Sequence, residues 1–409
     1  MRIVFVSNSY PPLANGGCGV LAENLVTSLR RKGHRVWALV SEDVGRKTGD
    51  RVPDYVYAIL QLTSPFTTSP RHSIWRRMCV TWANYQRSIR KLREVKPDVV
   101  FLMHLGRMSL GPAYAARDLG IPYLFSLNDN YLAQYSPVGK RKDLRGRLRG
   151  LAERWIFPRL THTGLSMDNA ISISEATRDA LCSLEVPVQK ARAIYQGIPL
   201  DRFQFRPKVG PANAKLRLLY VGNLVAYKGV LTLLEAAALL QKRLPGRDVT
   251  VTIAGDGPQR ADLECRAREH GLADKVRFLG WIDNGSLPTL YHESDILVFP
   301  STWPEPFGLT FLEAMACGTP VVSTATGGNR EFLRDQENCL IFKAGDPEAL
   351  ASRIVELITD GSLYAKLSRN AANQVREQFS LERYVDRIEE ILQVLASGRK
   401  GPNRGAFDE

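Results

Sequence analysis

Short apolar runs, each ended by turn residues and followed by a longer mixed segment, recur along the first half of the chain. They are "RIVFVS" (2–7), "RVWALV" (35–40), "DVVFLM" (98–103), "PYLFSL" (122–127), "NAISIS" (169–174) and "ARAIYQ" (191–196). Each is short, rich in β-branched or aromatic residues and bounded by turn formers, so each is expected to be a strand. Between the first two, "GVLAENLVTSLRRKGH" places apolar residues at 20, 21, 25, 26 and 29, a helical spacing, with Gly33 as its C-terminal cap. Strand, helix, strand in that order argues for a parallel sheet with right-handed crossovers. An α/β fold is the expectation.

The pattern then restarts. "DRFQFRPKVGPANAK" (201–215), with Pro207, Gly210 and Pro211, reads as a linker. After it come strands in "LRLLYVGN", "VTVTIAG", "VRFLGW", "DILVFPS" and "PVVSTA", and helices in "GVLTLLEAAALLQKRL" and at 258–270, 286–293 and 309–316. "PEALASRIVELI" and "LERYVDRIEEILQVLAS" read as closing helices. The chain, 409 residues long, exceeds one ordinary core. The expected division is 1–205 and 206–380, both Rossmann-like, with a final helix at about 381–397. Ligands bind beyond the carboxyl ends of parallel strands, so a cleft between two such domains is the expected site.

Charge is uneven: residues 1–200 hold 29 Lys and Arg against 15 Asp and Glu, and the remainder 26 against 27. Two clusters dominate, "RHSIWRRMCVTWANYQRSIRKLREVK" (71–96) and "KRKDLRGRLRGLAERWIFPRL" (140–160). They are either solvated helix faces or a surface for an anionic partner, membrane lipid or a phosphorylated substrate. Nucleic acid is not expected, for no zinc-finger spacing, RNP-like strand or coherent helix-turn-helix is present. The first residues lack the long apolar region of a signal peptide, and no run of 18 apolar residues spans a bilayer. The six cysteines are scattered, with no CxxC pair and no His at metal-ligand spacing. A cytoplasmic protein with reduced thiols and no metal is expected.

Four loops carry the chemistry. "SNSYPPLANGGCG" sets Gly16, Gly17 and Gly19 before a helix, where backbone amides approach an anion. It is neither GxGxxG nor a P-loop. "VGNLVAYKG" puts Lys228 on a strand-to-helix loop, within reach of a diphosphate. In "AGDGP", Asp256 is expected to cap the next helix. In "STWPEPFGLTFLEAMACGTP", Pro304 and Pro306 keep Glu305 on an extended loop, while a helix from about Gly308 to Ala316 carries Glu313 in its second turn. The amides of Phe307, Gly308 and Leu309 surround the positive helix end. Two carboxylates beside an anion-binding helix start suit a polyhydroxyl, phosphorylated ligand; the competing reading is two carboxylates favoured by the helix dipole alone.

Together these features resemble the retaining, GT-B-fold glycosyltransferases of family 4 over nearly the whole chain. Glu305 to Glu313 resembles that family's E-x7-E element, "YPPLANGGCGVLAENL" its glycine loop, and "VGNLVAYKG" its G-R-x4-K-G element. "ISISEATRDAL", "IYQGIPLDRF", "AGDGP", "VRFLGWI" and "TGGNREFL" match further landmarks in order. The resemblance implies that Glu313 binds the ribose of a UDP- or GDP-sugar and Glu305 the transferred hexose. Lys228 would neutralise the departing diphosphate with the Phe307–Leu309 amides and Gly16 and Gly17. Ile282 would lie against the base, and the helix 381–397 would return to the first domain. Retention, without a metal cofactor, is implied too; no D-x-D occurs to hold one. His104, Asn128 and Asp129 would lie on the acceptor side.

Two departures bear on catalysis. Asn223 stands where the family usually has arginine, with Arg330 as a substitute cation, and Asn128 where many members have histidine. The leading expectation is a hexosyltransferase of polysaccharide or glycolipid assembly. Its acceptor would be a glycan or lipid-linked molecule, anionic, reached at the inner face of the membrane through the basic first domain. The competing expectation is a catalytically silent sugar-nucleotide-binding partner protein. A sugar-nucleotide epimerase on the same fold is disfavoured by E-x7-E.

Overall fold

β1 (Arg2–Ser7) is buried at every position after Arg2, as a strand covered on both faces by helices must be. It pairs in parallel with β2 (Arg35–Ser41) on one side and β4 (Val99–His104) on the other. β3 (Val56–Leu60), β5 (Tyr123–Leu127), β6 (Ala170–Ser172) and β7 (Arg192–Ala193) extend the sheet to the order β3-β2-β1-β4-β5-β6-β7, parallel throughout. The helices are α1 (Gly17–Arg31), α2 (Ile74–Val95), α3 (Gly111–Asp118) and α4 (Glu175–Ser183). The computed structural model describes residues 1–11, 17–43, 53–64, 73–136, 158–208, 210 and 215–398.

The second sheet repeats the plan. β8 (Lys215–Val221), β9 (Asp248–Ala254), β10 (Val276–Gly280), β11 (Ile296–Phe299), β12 (Val321–Ser323) and β13 (Leu340–Ile341) lie parallel in the order β10-β9-β8-β11-β12-β13. α5 (Val230–Arg243), α6 (Arg260–Glu269), α7 (Leu287–Glu293), α8 (Leu309–Ala316), α9 (Pro347–Thr359) and α10 (Gly361–Gln378) accompany it, and α11 (Leu381–Ala396) is the last described helix. The strand order reverses between β8 and β11, and such a switch point leaves a crevice at the carboxyl ends. Lys228 follows β8 and Glu305 follows β11, so pairing of these two strands brings both loops to one place.

The α/β expectation holds in both halves, with differences in detail. β3 and β13 were not expected; β3 is an edge strand whose apolar run "VYAIL" was passed over, and β13 spans only two residues, too short to show a pattern. β7 occupies only 192–193 of the expected 191–196. α10 was missed because its apolar residues are diluted by Ser, Asn and Arg, yet it buries Tyr364, Leu367, Ala371 and Val375 on one helical face.

The chain divides into Met1–Tyr195 with the segment from Tyr384 onward, and Gln196–Arg383. This division precedes the expected 205/206 because the start of the presumed linker is packed. Ile198 N donates to Phe379 O at 2.9 Å, Leu381 N to Ile198 O at 2.9 Å, and the Phe203 ring lies 6.1 Å from that of Tyr291. Residues 209 and 211–214 of that segment lie outside the described residues. From Tyr384 the last helix belongs to the first unit. There Glu389 accepts from Lys32 at 2.6 Å and pairs with His34 at 2.7 Å, while Asp386 pairs with Lys32 at 2.7 Å.

Candidate active site

Lys228 ends a 3-10 turn, Ala226–Lys228, closed by Gly229 in the left-handed region at φ +70°. A Cβ at Gly229 would stand 2.0 Å from the carbonyl oxygen of Pro300, so only glycine lets this loop lie against the end of β11. From that position Lys228 Nζ donates to both carboxylate oxygens of Glu305, at 2.7 and 2.8 Å. The Glu305 side chain is 5% exposed and that of Lys228 23%. A carboxylate so buried is tolerated because a cation and hydrogen bonds offset its lost hydration.

The backbone fixes Glu305 as firmly. Its N–H donates to Thr326 O at 3.0 Å and its carbonyl accepts from Gly328 N at 2.7 Å, a one-residue parallel bridge to Gly327. Gly327 adopts φ +74°, and a Cβ there would fall 2.4 Å from Glu305 O. Arg330, exposed, lies in the 3-10 turn Gly328–Glu331 that starts at this bridge.

Glu313 has a different environment. It lies in the second turn of α8, and its Oε2 accepts from the buried Tyr291 hydroxyl at 2.7 Å. Burial pushes the Glu313 carboxyl up to about 7, against the Tyr291 hydrogen bond and the charge of Arg202, which both lower it. Burial and the facing carboxylate push the Tyr291 hydroxyl well above its ordinary range, so it remains a donor. Lys208 steadies this corner, donating to Tyr291 O at 2.9 Å, to Thr319 Oγ1 at 3.0 Å and to Ser294 O. Its ammonium falls to about 8, chiefly through burial.

Gly308 precedes α8 without a side-chain cap, so the first-turn amides of Leu309 and its successors have no side chain closing them. The Phe307 ring is buried against Phe311 and Phe379, at centroid distances of 5.8 and 5.5 Å. It anchors the loop, and only its backbone can meet a ligand. Asn223 is exposed at the end of β8, its carbonyl accepting from Tyr220 at 2.9 Å. Ile282 is half-buried just past β10, where Gly255 N donates to Gly280 O at 2.8 Å. Asp256 corrects an expectation: α6 starts after Gln259 with no side-chain cap, and Asp256 instead accepts from Gly257 N at 2.7 Å and pairs with Arg260 at 3.4 Å.

In the first unit Gly17 begins α1 and is exposed, while Gly16 lies outside the described residues, as does most of the basic segment 140–160. His104 ends β4, and its Nε2 meets Asp129 Oδ2 at 3.0 Å, while Asp129 Oδ1 accepts from Tyr131 N at 2.6 Å. Burial raises the Asp129 carboxyl, but His104 and the Tyr131 amide outweigh it and hold it below the usual range. Asn128 is buried and donates to Met103 O at 2.8 Å, so this amide is spent on the fold. Tyr291, Lys208, Tyr227 and Trp303 border the second-unit site without having been singled out from sequence. Tyr227 and Trp303 lie inside the quoted loops without a role assigned there, Tyr291 and Lys208 lie outside them, and only exposure or partners disclose all four.

Residues 15–202 match the model of "Glycosyltransferase Family 4", and residues 201–374 that of "Glycosyl transferases group 1". A glycogen synthase of Mycobacterium tuberculosis is 29% identical over 98% of this chain and 97% of its own length. A lipopolysaccharide core biosynthesis glycosyltransferase of Rhizobium meliloti, LpsE, is 40% identical over 46% of this chain and 51% of its own. Among solved structures, the sucrose-phosphate synthase of Thermosynechococcus elongatus superposes with a TM-score of 0.73 at 22% identity, covering 97% of this chain and 100% of that one. Anabaena HepE, crystallised with UDP, gives 0.71 at 21%, covering 96% and 100%.

Proposed function

This chain is a glycosyltransferase of the GT-B fold, and from that premise we propose that it moves a hexose-type sugar from a UDP- or GDP-sugar to a hydroxyl acceptor with retention. The observation that carries this reading is the buried Lys228–Glu305 pair, with Glu313 on the adjoining helix. Glu305 accepts hydrogen bonds from the sugar hydroxyls and Glu313 from the ribose. Lys228, the Gly308 and Leu309 amides and Arg330 face the diphosphate, and Ile282 the base.

In this reaction the bond from the anomeric carbon to the diphosphate oxygen breaks as a bond to the acceptor oxygen forms. The acceptor proton leaves with the diphosphate. Charge develops on the departing phosphate, where a fixed ammonium and a helix N-terminus stabilise it; losing one such group costs about 10²–10³ in rate. No metal is required in this reading, for the countercharge comes from the chain. On the first unit His104 and Asp129 are assigned to the acceptor.

The acceptor we propose is an anionic glycan or lipid-linked glycan of polysaccharide or glycolipid assembly, met at the inner membrane surface. Supporting this, α2 exposes Trp75 and Trp82, 70% and 65% accessible, together with Arg76, Arg90 and Arg93, and Lys96 follows it exposed; indoles amid basic residues suit an anionic interface. A hydrolysis screen of the common UDP- and GDP-sugars tests the transferase: slow release of diphosphate from one donor is expected. Nucleotide binding with no turnover across donors and acceptors would instead favour the silent partner, the reading to which Asn223 and the spent Asn128 amide lend weight. Flotation with anionic but not neutral liposomes is the expected membrane result; equal recovery with both would remove that part.

A further inference from the structure

Large apolar side chains that cluster in the open mark a binding surface more often than chance exposure does. Five large hydrophobics are exposed among the described residues, and two of them face each other beside the Lys228–Glu305 pair. Tyr227 is 47% exposed and Trp303 48%, their ring centroids 5.5 Å apart and their planes at 46°. Tyr227 immediately precedes Lys228, whose Nζ lies 6.0 Å from its ring centre. Trp303 is separated from Glu305 only by Pro304.

The backbone beneath the rings is held tightly although the rings stay wet. Tyr227 O accepts from Thr302 N at 2.9 Å, from Ser301 Oγ at 3.1 Å and from Thr302 Oγ1 at 3.2 Å. Trp303 N donates to Ser301 Oγ at 3.4 Å, and its carbonyl accepts from Thr326 Oγ1 at 2.7 Å. Pro304 keeps Trp303 out of the helical region. Two aromatic rings on fixed loops lose little entropy when a ligand covers them, so their area converts efficiently into affinity.

A pyranose presents hydroxyls at its edge and C–H groups on its faces. The edge matches a carboxylate; a face is apolar and matches an aromatic ring. The geometry points to Tyr227 and Trp303 as a stacking platform for the pyranose ring of the transferred sugar, next to the carboxylate that takes its hydroxyls. This rests on the reading of Glu305 as the sugar-binding carboxylate. The platform contributes to binding of the sugar and not of the nucleotide. It discriminates among hexoses by the face they present, since an axial hydroxyl on the stacked face holds the ring away.

The test compares free nucleoside diphosphate with the sugar nucleotide that the wild-type protein turns over, titrated into wild type, W303A, Y227A and W303F. In W303A and Y227A the affinity gained from the sugar is expected to fall about tenfold, with binding of the free diphosphate unchanged. W303F, which keeps an aromatic face, retains most of the gain. An unaltered ratio in both alanine variants overturns the platform, and so does a rise confined to the acceptor KM, which would assign the rings to the acceptor. If wild type turns over no donor, the transferase reading itself falls; turnover with an unaltered ratio defeats the platform alone.

Discussion

Glu305 and Glu313 lie on one short segment and are both largely enclosed, yet the fold treats them oppositely. Glu305 stands on an extended loop, gripped at both oxygens by an ammonium and along its backbone by Thr326 and Gly328. Glu313 stands on a helix, with a neutral phenol as its hydrogen-bond donor, and burial lifts its carboxyl to about 7. An ammonium holds both oxygens of the first in the free protein; the second ionises readily only above neutral pH or when a ligand supplies donors. The spacing that suggested one site thus joins two electrostatic environments, one suited to a reacting sugar and the other to a ribose that only needs to be held.

The largest effect should follow from breaking the paired carboxylate. K228A is expected to lower turnover by about 10²–10³-fold, the loss typical of one transition-state donor, in steady-state assays on the donor the screen identifies. It should also lower the thermal midpoint, because Glu305 is left buried without its cation. Breaking a fully buried pair costs about 3–5 kcal/mol, and less is expected here because Lys228 is 23% exposed. An intact midpoint together with an intact rate would remove the pair from the account.

Glu313 should answer through affinity and protons. E313Q is expected to weaken nucleotide binding by roughly tenfold, the scale of a hydrogen bond to a charged group, with a smaller change in turnover at saturation. Wild type should release protons when nucleotide binds at pH 6.5–7, because the ribose hydroxyls favour the ionised carboxylate. Calorimetry in buffers of different ionisation enthalpy reads this directly, and E313Q should abolish it. Smaller again is Y291F: the Tyr291 hydrogen bond lowers the carboxyl, so its loss should move the midpoint of pH-dependent nucleotide binding to more alkaline values.

A separate effect, read in stability and not in binding, concerns the ligand-free fold. The Glu313 carboxyl rises from 4.5 to about 7 on folding, so the folded state favours the protonated form. Its stabilising contribution is complete below pH 4.5 and is lost as pH rises through about 7. At about 1.4 kcal/mol per tenfold change in proton affinity, the contribution is capped at roughly 3 kcal/mol. Denaturant titrations from pH 5 to 8 should show this decline in wild type and a flatter profile in E313Q.

Much of the site was legible because chemistry and chain punctuation coincide in it. Pro304, Pro306 and Gly308 divide loop from helix, and α8 runs from Leu309 to Ala316 as its residues imply. Short apolar runs disclosed most strands of both sheets, since fully buried parallel strands such as β1 read as unbroken apolar runs. What stayed hidden depends on distant partners. Tyr291 and Lys208 matter through contacts across the domain, and Tyr227 with Trp303 through two loops that meet only once β8 pairs β11. Asn128, expected on the acceptor side, is turned inward onto Met103 O, an orientation that residue type alone does not encode.

The division of labour between the carboxylates is tested most directly by comparing free nucleoside diphosphate with sugar nucleotide in E305Q and E313Q. E313Q should weaken both ligands by the same factor. E305Q should leave diphosphate binding intact, with Lys228 released to meet it, and sharply reduce the affinity gained from the sugar. Equal losses for both ligands in both variants would contradict the account.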